Sequence, residues 1–261
     1  MQLNKYLALC GVASRRKAND LIARRRVTVN GKSVERLGVT VDPETDFIQL
    51  DGKTLRAPRR FRYVLLNKPA EALSTVTDVR GRKTVLDLVE SPKGLFPVGR
   101  LDLDTDGVLL LTNDGGLAFR LTHPKFEIDK VYEAWVAGAV GPEHIQKLRA
   151  GVTIEPGATV SGDTRVIVRK PDKTLVEVRV HEGKKRQVKL MFRALGFYVI
   201  RLTRTRFAGL TTRGLKLGES RALRPEEVRK LYRMTGIRES GFETSNPKSA
   251  IRNPKLVVRE S

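Results

Sequence analysis

The spacing of apolar residues predicts a small α/β module at the start of the chain. Apolar positions at helical spacing predict a helix over residues 2–10, and Ser14 is a suitable N-cap for a second helix that ends near residue 25. Residues 27–29 alternate as in a strand, and the Asn-Gly pair directly after them is typical of a tight hairpin turn. Residues 1–58 are therefore expected to fold as one unit.

After a linker at residues 56–60, the pattern becomes rich in strands. Runs of β-branched and aromatic residues predict six strands, and helical periodicity predicts four helices. The strands are expected near residues 61–67, 108–112, 130–137, 165–169, 174–181 and 197–203, and the helices near 117–121, 142–150, 185–195 and 224–234. We therefore expect a second domain over residues 61–236 and an α+β protein. Residues 237–261 are polar and are expected to form a mobile C-terminal tail.

The charge of the chain predicts a polyanionic partner. Lys and Arg number 50 against 29 Asp and Glu, which gives a formal net charge of +21. Nucleic acid is favoured over a membrane surface, since no apolar run approaches the ~20 residues of a spanning helix. The first residues lack the features of a secretory signal, and Cys10 is the only cysteine, which excludes an intrachain disulfide. Both observations fit the cytoplasm, where we expect the protein to act.

Two stretches of the chain concentrate the positive charge. Residues 1–36 hold nine basic residues and two acidic ones, and residues 183–218 hold ten basic residues and no acidic one. Exposed surfaces usually mix both signs because like charges repel, so single-sign stretches of this length indicate phosphate contacts. The RNA-contacting residues that we predict are Lys5, Arg15, Arg16, Lys17, Arg24, Arg25, Arg26, Lys32, Lys184, Lys185 and Arg186.

An acidic loop in the middle of this basic chain is a candidate site. Asp102, Asp104 and Asp106 alternate just before a predicted strand. A plain turn is one interpretation, and the D-x-D-x-D-G pattern also opens calcium loops. The calcium interpretation fails, because Asn113 stands where the bidentate Glu is needed and no helix precedes the loop. A third interpretation is an ionised carboxylate that acts as a nucleophile or a base, and residue types alone do not choose which Asp.

Sequence motifs at the N-terminus resemble a known RNA-binding fold. The segments LNKYL (3–7), ASRR (13–16) and RVTVNGK (26–32) are similar to the alpha-L motif, a small fold named after a small-subunit ribosomal protein. In that family two helices and the following hairpin present basic residues to structured RNA. The resemblance implies the same role for residues 1–58.

The acidic loop belongs to a longer motif. Residues 99–115, GRLDLDTDGVLLLTNDG, resemble the signature of the RsuA/RluB group of ribosomal RNA pseudouridine synthases, and the chain is RluB-like. The segments Asn67-Lys68-Pro69, Ser74-Thr75, KVYEA (130–134) and EGKKRQVK (182–189) are similar to the other motifs of that family. The resemblance implies a catalytic domain with a mixed, mainly antiparallel sheet. It also implies a monomer that needs no cofactor or metal and converts uridine to pseudouridine in ribosomal RNA, with the large subunit favoured.

The same resemblance assigns roles to four residues. Asp102 matches the catalytic aspartate, Tyr132 matches the tyrosine that lies against the target base, and Lys189 matches the basic residue that pairs with the aspartate. Arg100 matches an arginine that helps to open the RNA helix around a flipped base.

Each role has a simpler alternative. Tyr132 fits an ordinary strand position, Lys189 fits one more phosphate contact, and Asp104 and Asp106 are interpreted as turn and strand-entry residues. The sequence also departs from the family at two positions. Glu71 stands where Gly is usual, and Lys184 stands where Arg is common.

Two other function classes account for part of the sequence. A non-catalytic ribosome assembly factor explains the basic stretches but has no use for Asp102. An RNA methyltransferase would need a Gly-rich loop after a strand, and Val98-Gly99-Arg100 is too poor in glycine. A pseudouridine synthase acting on transfer or messenger RNA is a further alternative, which the N-terminal module disfavours.

Overall fold

The computed structural model describes residues 1–57, 61–90 and 94–237, and its first 57 residues form two helices packed on a small sheet. The elements are α1 (Leu3–Leu9), α2 (Arg15–Ala23), β1 (Val27–Val29), β2 (Lys32–Val34), β3 (Ile48–Leu50) and β4 (Lys53–Thr54), with strand order β2-β1-β3-β4. Apolar side chains of both helices pack against β1 and β3. The two predicted helices and the hairpin are confirmed, whereas β3 and β4 were too short for the pattern to indicate.

Local side-chain chemistry explains the ends of these elements. The Ser14 hydroxyl accepts a hydrogen bond from the backbone N–H of Lys17 at 3.3 Å and so caps α2. Asn30 and Gly31 have φ angles of +52° and +77°, the left-handed conformations that a two-residue turn needs to match the strand twist. β1 and β2 therefore pair as the hairpin that the sequence predicts.

The second part of the chain is built on one large mixed sheet. Its strands are β5 (Tyr63–Lys68), β6 (Phe96–Pro97), β7 (Thr105–Thr112), β8 (Lys130–Ala137), β11 (Asp163–Arg169), β12 (Lys173–Val180), β13 (Val199–Phe207) and β14 (Ser220–Ala222), and a separate hairpin is formed by β9 (Val152–Glu155) and β10 (Ala158–Val160). The order is β11-β12-β8-β13-β7-β5-β14, with β6 paired to β7. All pairs are antiparallel except β13 with β7, which is parallel, so the expected mixed sheet is confirmed.

Four helices cover the sheet: α3 (Gly115–Thr122), α4 (Pro142–Ala150), α5 (Gln187–Ala194) and α6 (Pro225–Thr235). One core cluster joins β5 and β7 to α3 and α6. A second joins β8, β12 and β13 to α4 and α5. A third packs Leu66, Leu109 and Leu111 against a 3-10 helix at Val85–Leu88. The acidic loop lies where the second and third clusters meet, and this position bears on function.

The parallel pair in the middle of the sheet depends on a glycine. Gly107 has a φ angle of +107°, and a Cβ atom added to it would lie 2.2 Å from the carbonyl oxygen of Arg204 on β13. Only glycine lets the two backbones approach this closely. This contact also explains why β7 begins at Thr105, three residues before the predicted start, since the pairing with β13 draws the Thr-Asp-Gly segment into the sheet.

In the described residues, no helix is both long and apolar enough to span a membrane. Across the same ranges, His, Cys, Asp and Glu side chains form no group of three or more suited to a metal ion. The tail predicted at residues 237–261 lies outside the described residues, apart from its first position.

Candidate active site

A buried lysine holds the turn that carries Asp102. Lys68, the last residue of β5, is fully buried, and its ammonium, with three N–H donors, lies within hydrogen-bond distance of four backbone carbonyls. Three acceptors belong to the turn: Asp102 at 3.2 Å, Leu103 at 3.4 Å and Thr105 at 2.8 Å. The fourth is Pro69 at 3.0 Å. Because a charged donor forms strong hydrogen bonds, this one side chain fixes the path of the turn.

Burial also changes the acidity of this lysine. Loss of water contact lowers the pKa of Lys68 to about 8, because the charged form is disfavoured away from solvent. The carboxylates of Asp106, Asp104 and Asp102 act in the opposite direction. At neutral pH the ammonium is therefore retained by the three acidic residues and by the carbonyls of the turn.

Two further contacts attach the turn to the segment after β5. The Ser74 hydroxyl donates to the Leu101 carbonyl at 2.9 Å and accepts from the Leu101 N–H at 3.1 Å. The Glu71 N–H donates to the Leu103 carbonyl at 2.7 Å. Glu71 has a φ angle of +70°, a conformation that favours glycine, which explains why Gly is usual at this position in the similar family.

Asp102 itself is half-buried, directly after Leu101, which is buried in the third core cluster. The predicted ion pair between Asp102 and Lys189 is not formed. The Lys189 ammonium instead lies 2.6 Å from Oδ1 of Asp104, and within the described part of the chain the Asp102 carboxylate forms no ion pair. The physical reason is the shape of the turn: Asp104 lies at its exposed end and reaches α5.

Helix α5 brings the cations to this turn. Val188, Met191 and Phe192 on one face of α5 are buried in the second core cluster, which places Lys189 at the margin with 12% of its side chain exposed. Arg186, just before the helix, lies 3.7 Å from Oδ2 of Asp104. The Lys189 hydrogen bond is among the causes that lower the pKa of Asp104, against the effect of partial burial. Asp104 is therefore an ion-pair acceptor as well as a turn residue.

Tyr132 packs in the same part of the domain as the turn. It is half-buried on β8 and packs against both the second and the third core clusters, and the third contains Leu101. In the sheet register Tyr132 pairs with Arg204, which in turn pairs with Gly107 of β7. The tyrosine ring therefore belongs to the same region as the Asp102 turn.

Asp106 forms an ion pair of its own. Its Oδ2 atom accepts from Arg201 Nε at 3.0 Å and lies 2.9 Å from Nη2 of the same arginine. The pair links β7 to β13, so the interpretation of Asp106 as a strand-entry residue agrees with its position. Arg100 is exposed and lies two residues before Asp102, where RNA can reach it. Lys184 and Lys185 are also exposed, in the loop before α5.

The predicted RNA-contacting residues of the N-terminal module are all exposed: Lys5, Arg15, Arg16, Lys17, Arg24, Arg25, Arg26 and Lys32. Two of them are engaged by carboxylates, since Arg25 Nε donates to Glu35 at 2.6 Å and Arg26 Nε to Asp51 at 2.9 Å. Lys17 and Arg24 border a surface groove of about 260 Å³ beside α2. The groove is also lined by Asp20 and apolar residues, so the positive charge of this module lies mainly on its exposed surface, where Arg25 and Arg26 are partly neutralised.

Comparisons with known proteins show the family of this chain. Residues 62–194 match the family model described as RNA pseudouridylate synthase, and residues 1–47 match the S4 domain. The chain belongs to the RNA pseudouridylate synthase family. It is 42% identical over 244 residues to the ribosomal large subunit pseudouridine synthase B of Bacillus subtilis (strain 168), a match that covers 92% of this chain and 99% of that protein.

Two more relatives support the family membership. An uncharacterized RNA pseudouridine synthase of Aquifex aeolicus (strain VF5) is 40% identical over 240 residues, which covers 91% of this chain and 96% of that protein. A crystal structure of a pseudouridylate synthase superposes with a TM-score of 0.64 at 28% identity, covering 88% of this chain and 99% of that chain. The synthase family and the S4 domain therefore extend over both parts of this chain.

Sequence reasoning missed three residues of this synthase site. Lys68 and Ser74 were noted only as motif members, although they fix the Asp102 turn. Asp104 was assigned to the turn alone, although it holds Lys189. One sequence signal indicates the buried ammonium. Lys68 stands at the end of an apolar strand, and the chain has acidic residues that can lie near it.

Proposed function

We propose that this protein converts a specific uridine of ribosomal RNA to pseudouridine, with Asp102 as the catalytic carboxylate. The observation that carries the proposal is the half-buried Asp102 on a turn that Lys68 holds on its buried side and that Lys189 contacts through Asp104. A fixed carboxylate beside a polyanion-binding surface is what chemistry at a ribose carbon requires.

The proposed reaction begins with extrusion of the target uridine from its helix, because a stacked nucleotide cannot reach the turn. Arg100 is exposed beside Asp102 and fills the gap that the base leaves. Asp102 then either attacks the anomeric carbon, and is later displaced when carbon 5 bonds to that carbon, or removes a neighbouring sugar proton that it returns when the new bond forms. The bond from ribose to N1 breaks, a bond to carbon 5 forms, carbon 5 loses its proton and N1 gains one. Tyr132 packs on the ring and assists the loss of the carbon-5 proton.

In this scheme Lys189 acts indirectly, because its contact with Asp104 fixes the conformation of the turn that carries Asp102. Its ammonium and the Arg186 guanidinium neutralise Asp104, two residues from Asp102. This contact fixes the exposed end of the turn, while Lys68 fixes its buried side. Lys189 is therefore a positioning residue in the RNA-free protein, and the Asp102 carboxylate stays available to the substrate.

The proposed substrate is RNA of the large ribosomal subunit, either free or in an assembly intermediate, and the enzyme is proposed to act as a monomer. The similarity to the large-subunit enzyme of Bacillus subtilis over 92% of this chain favours that subunit. The S4 domain adds an exposed basic face, which supplies salt-dependent affinity for structured RNA.

Site mapping tests this assignment. Purified protein is incubated with protein-free large-subunit and small-subunit ribosomal RNA transcripts, and pseudouridine is located by chemical labelling and primer extension. One modified uridine in the large-subunit transcript is expected. Binding of either RNA without pseudouridine in any position would identify a non-catalytic binder instead, and a product in the small-subunit transcript alone would reverse the choice of subunit.

A further inference from the structure

An exposed aromatic and cationic surface lies on α3 and the 3-10 helix that follows it. We name it the aromatic–cation patch and define it as Phe119, His123, Lys125 and Phe126. The rings of Phe119 and His123 lie 4.9 Å apart between centroids, and those of Phe119 and Phe126 lie 6.1 Å apart in a T-shaped arrangement. Phe119 leaves 52% of its surface in solvent.

Cations surround these rings. The Lys125 ammonium lies 4.8 Å from the Phe126 centroid and 5.9 Å from that of Phe119. The Arg120 guanidinium lies 5.4 Å from the Phe126 centroid and is anchored by a 2.7 Å hydrogen bond to the Thr235 carbonyl. Lys125 forms no ion pair with a carboxylate in the part of the chain that the structure describes, so its charge is available to a ligand.

The patch is attached to the hydrophobic core. Phe126 packs against the first core cluster, and α3 contributes Leu117 and Leu121 to that cluster. The Lys125 N–H donates to His123 Nδ1 at 3.3 Å, which closes the 3-10 turn. An isolated exposed Phe is common on protein surfaces. Three adjoining aromatic rings with a cation over two of them form a more specific arrangement.

The patch adjoins the segment that leads to Asp102. Val98 is buried in the same cluster as Leu117 and Leu121 of α3. A Cβ atom added to Gly99 would lie 3.4 Å from Cγ2 of Thr122, the last residue of α3. Arg100 follows directly, so the exposed end of α3 lies next to the residue proposed to fill the gap in the RNA.

We propose that the aromatic–cation patch stacks an unpaired base of the RNA substrate, on a nucleotide that flanks the target uridine. An aromatic face beside a cation binds both the base and its phosphate, and this combination is sequence-tolerant because every base has a π-face. The net charge of +21 favours RNA over a protein as the occupant. The inference rests on the proposed function, since it places the patch beside the reacting nucleotide.

Variants of Phe119 test the proposal, because this exposed side chain can be changed without loss of the core. Phe119→Ala and Phe119→Leu should each weaken binding to the large-subunit transcript about tenfold, which corresponds to about 1.4 kcal/mol. KM should rise by the same factor with little change in kcat, because a flanking contact is made equally in the ground state and the transition state. Phe119→Tyr and Phe119→Trp should retain wild-type values, since both can stack.

Ile167→Ala is the control. Ile167 is 43% exposed on the edge strand β11 and lies outside both basic stretches, so its loss should leave Kd and KM unchanged. If Phe119→Ala kept the wild-type Kd and KM, the proposal that the patch binds RNA would be overturned, while the proposed function would be unaffected. If Phe119→Leu kept the wild-type Kd and KM, the proposal that the Phe119 ring stacks on a base would be overturned. A defect seen on ribosomal particles but not on the free transcript would indicate a protein partner and overturn the proposal. If the wild-type enzyme gave no turnover, the Kd series would still decide whether the patch binds RNA.

Discussion

Lys189 and Asp104 form a close ion pair, with Nζ of the lysine 2.6 Å from Oδ1 of the aspartate. The lysine had been expected to pair with Asp102. The observed contact instead joins α5 to the exposed end of the catalytic turn, so Asp102 can be fixed in place while its carboxylate stays free of any cation in the described residues. Asp104 therefore positions the turn, and Asp102, two residues earlier, is available for the chemistry.

The ion pair predicts similar defects in two variants. Asp104→Asn and Lys189→Met should each lower kcat severalfold, and the double variant should be little worse than either one, because both single changes remove the same contact. The coupling energy should be about 1 kcal/mol, since the Asp104 side chain is 55% exposed and solvent weakens the pair. Turnover of the three variants on the rRNA transcript measures it. A Lys189→Met defect far larger than that of Asp104→Asn would show that Lys189 acts on Asp102 or on the RNA directly.

Glu71 predicts a stabilising substitution. Its left-handed backbone costs about 1 kcal/mol relative to glycine, and its exposed side chain gives little in return. Glu71→Gly should therefore raise the free energy of unfolding by up to about 1 kcal/mol and keep the hydrogen bond to Leu103. Arg229→Gly in α6 is the control of opposite sign, because glycine in a helix interior lowers stability by about 1 kcal/mol. Urea titration compares the two, and a loss of stability in Glu71→Gly would contradict the strain argument.

The close approach of β7 and β13 predicts that position 107 accepts only glycine. Gly107→Ala should lower the free energy of unfolding by about 3 kcal/mol or prevent folding, because the new methyl group meets the Arg204 backbone and the φ angle is unfavourable. Gly115→Ala is the matched change, since no atom lies within 4 Å of its added Cβ atom. Thermal unfolding of both variants checks the prediction, and an unaltered melting temperature in Gly107→Ala would show that the strands can separate at no cost.

A buried carboxylate at the start of α3 predicts a large loss of stability. Oδ1 of Asp114 accepts from the N–H groups of Gly116 and Leu117 at 3.0 Å each, and its Oδ2 accepts from the hydroxyls of Tyr63 and Tyr232. Asp114→Ala should cost about 3 kcal/mol, because it removes the cap and leaves buried polar groups without this acceptor. Asp172→Ala, at an exposed pair with Lys173, should change stability by less than about 0.5 kcal/mol. Equal changes in the free energy of unfolding in Asp114→Ala and Asp172→Ala would contradict the stabilising role of the hydrogen bonds around Asp114.

The buried lysines predict how stability depends on pH. Lys130 donates to the carbonyls of Ile128 and His181 at 3.0 Å each, and burial lowers its pKa from 10.5 to about 8. Between these values the unfolded chain binds more protons than the folded one, so the free energy of unfolding should rise with pH from about 8 to 10.5. Lys130→Met should reduce that rise by about 3 kcal/mol. Urea titrations across the window measure it, and parallel curves for the two proteins would contradict the lowered pKa.

Much of the fold follows from the local pattern of the sequence. β8 and α4 have the predicted bounds, Lys130–Ala137 and Pro142–Ala150, because aromatic and β-branched residues mark the first and a proline at the first turn marks the second. The start of β7 was wrong, since Thr105, Asp106 and Gly107 have the composition of a turn. Only pairing with β13, about a hundred residues later in the chain, makes them a strand. Local patterns do not contain that information.

The candidate site was predictable in its residues but not in its contacts. The motif around residues 99–115 led to Asp102, and those at residues 130–134 and 182–189 led to Tyr132 and Lys189. The partner of Lys189 depends on where α5 packs, and the role of Lys68 depends on its burial beneath the turn. Both follow from tertiary structure, so neither the motif nor the charge pattern could assign them.

The most direct measurement of the central claim compares Asp102→Asn with the wild-type protein on the large-subunit transcript. The substitution keeps the size of the side chain and the backbone carbonyl that binds Lys68, so affinity for the RNA should stay within about twofold, well under 1 kcal/mol. Pseudouridine formation should fall to the background of the assay, because an amide is neither a nucleophile nor a base here. Pseudouridine formed at a rate comparable to wild type by Asp102→Asn would contradict the assignment of Asp102 as the catalytic carboxylate.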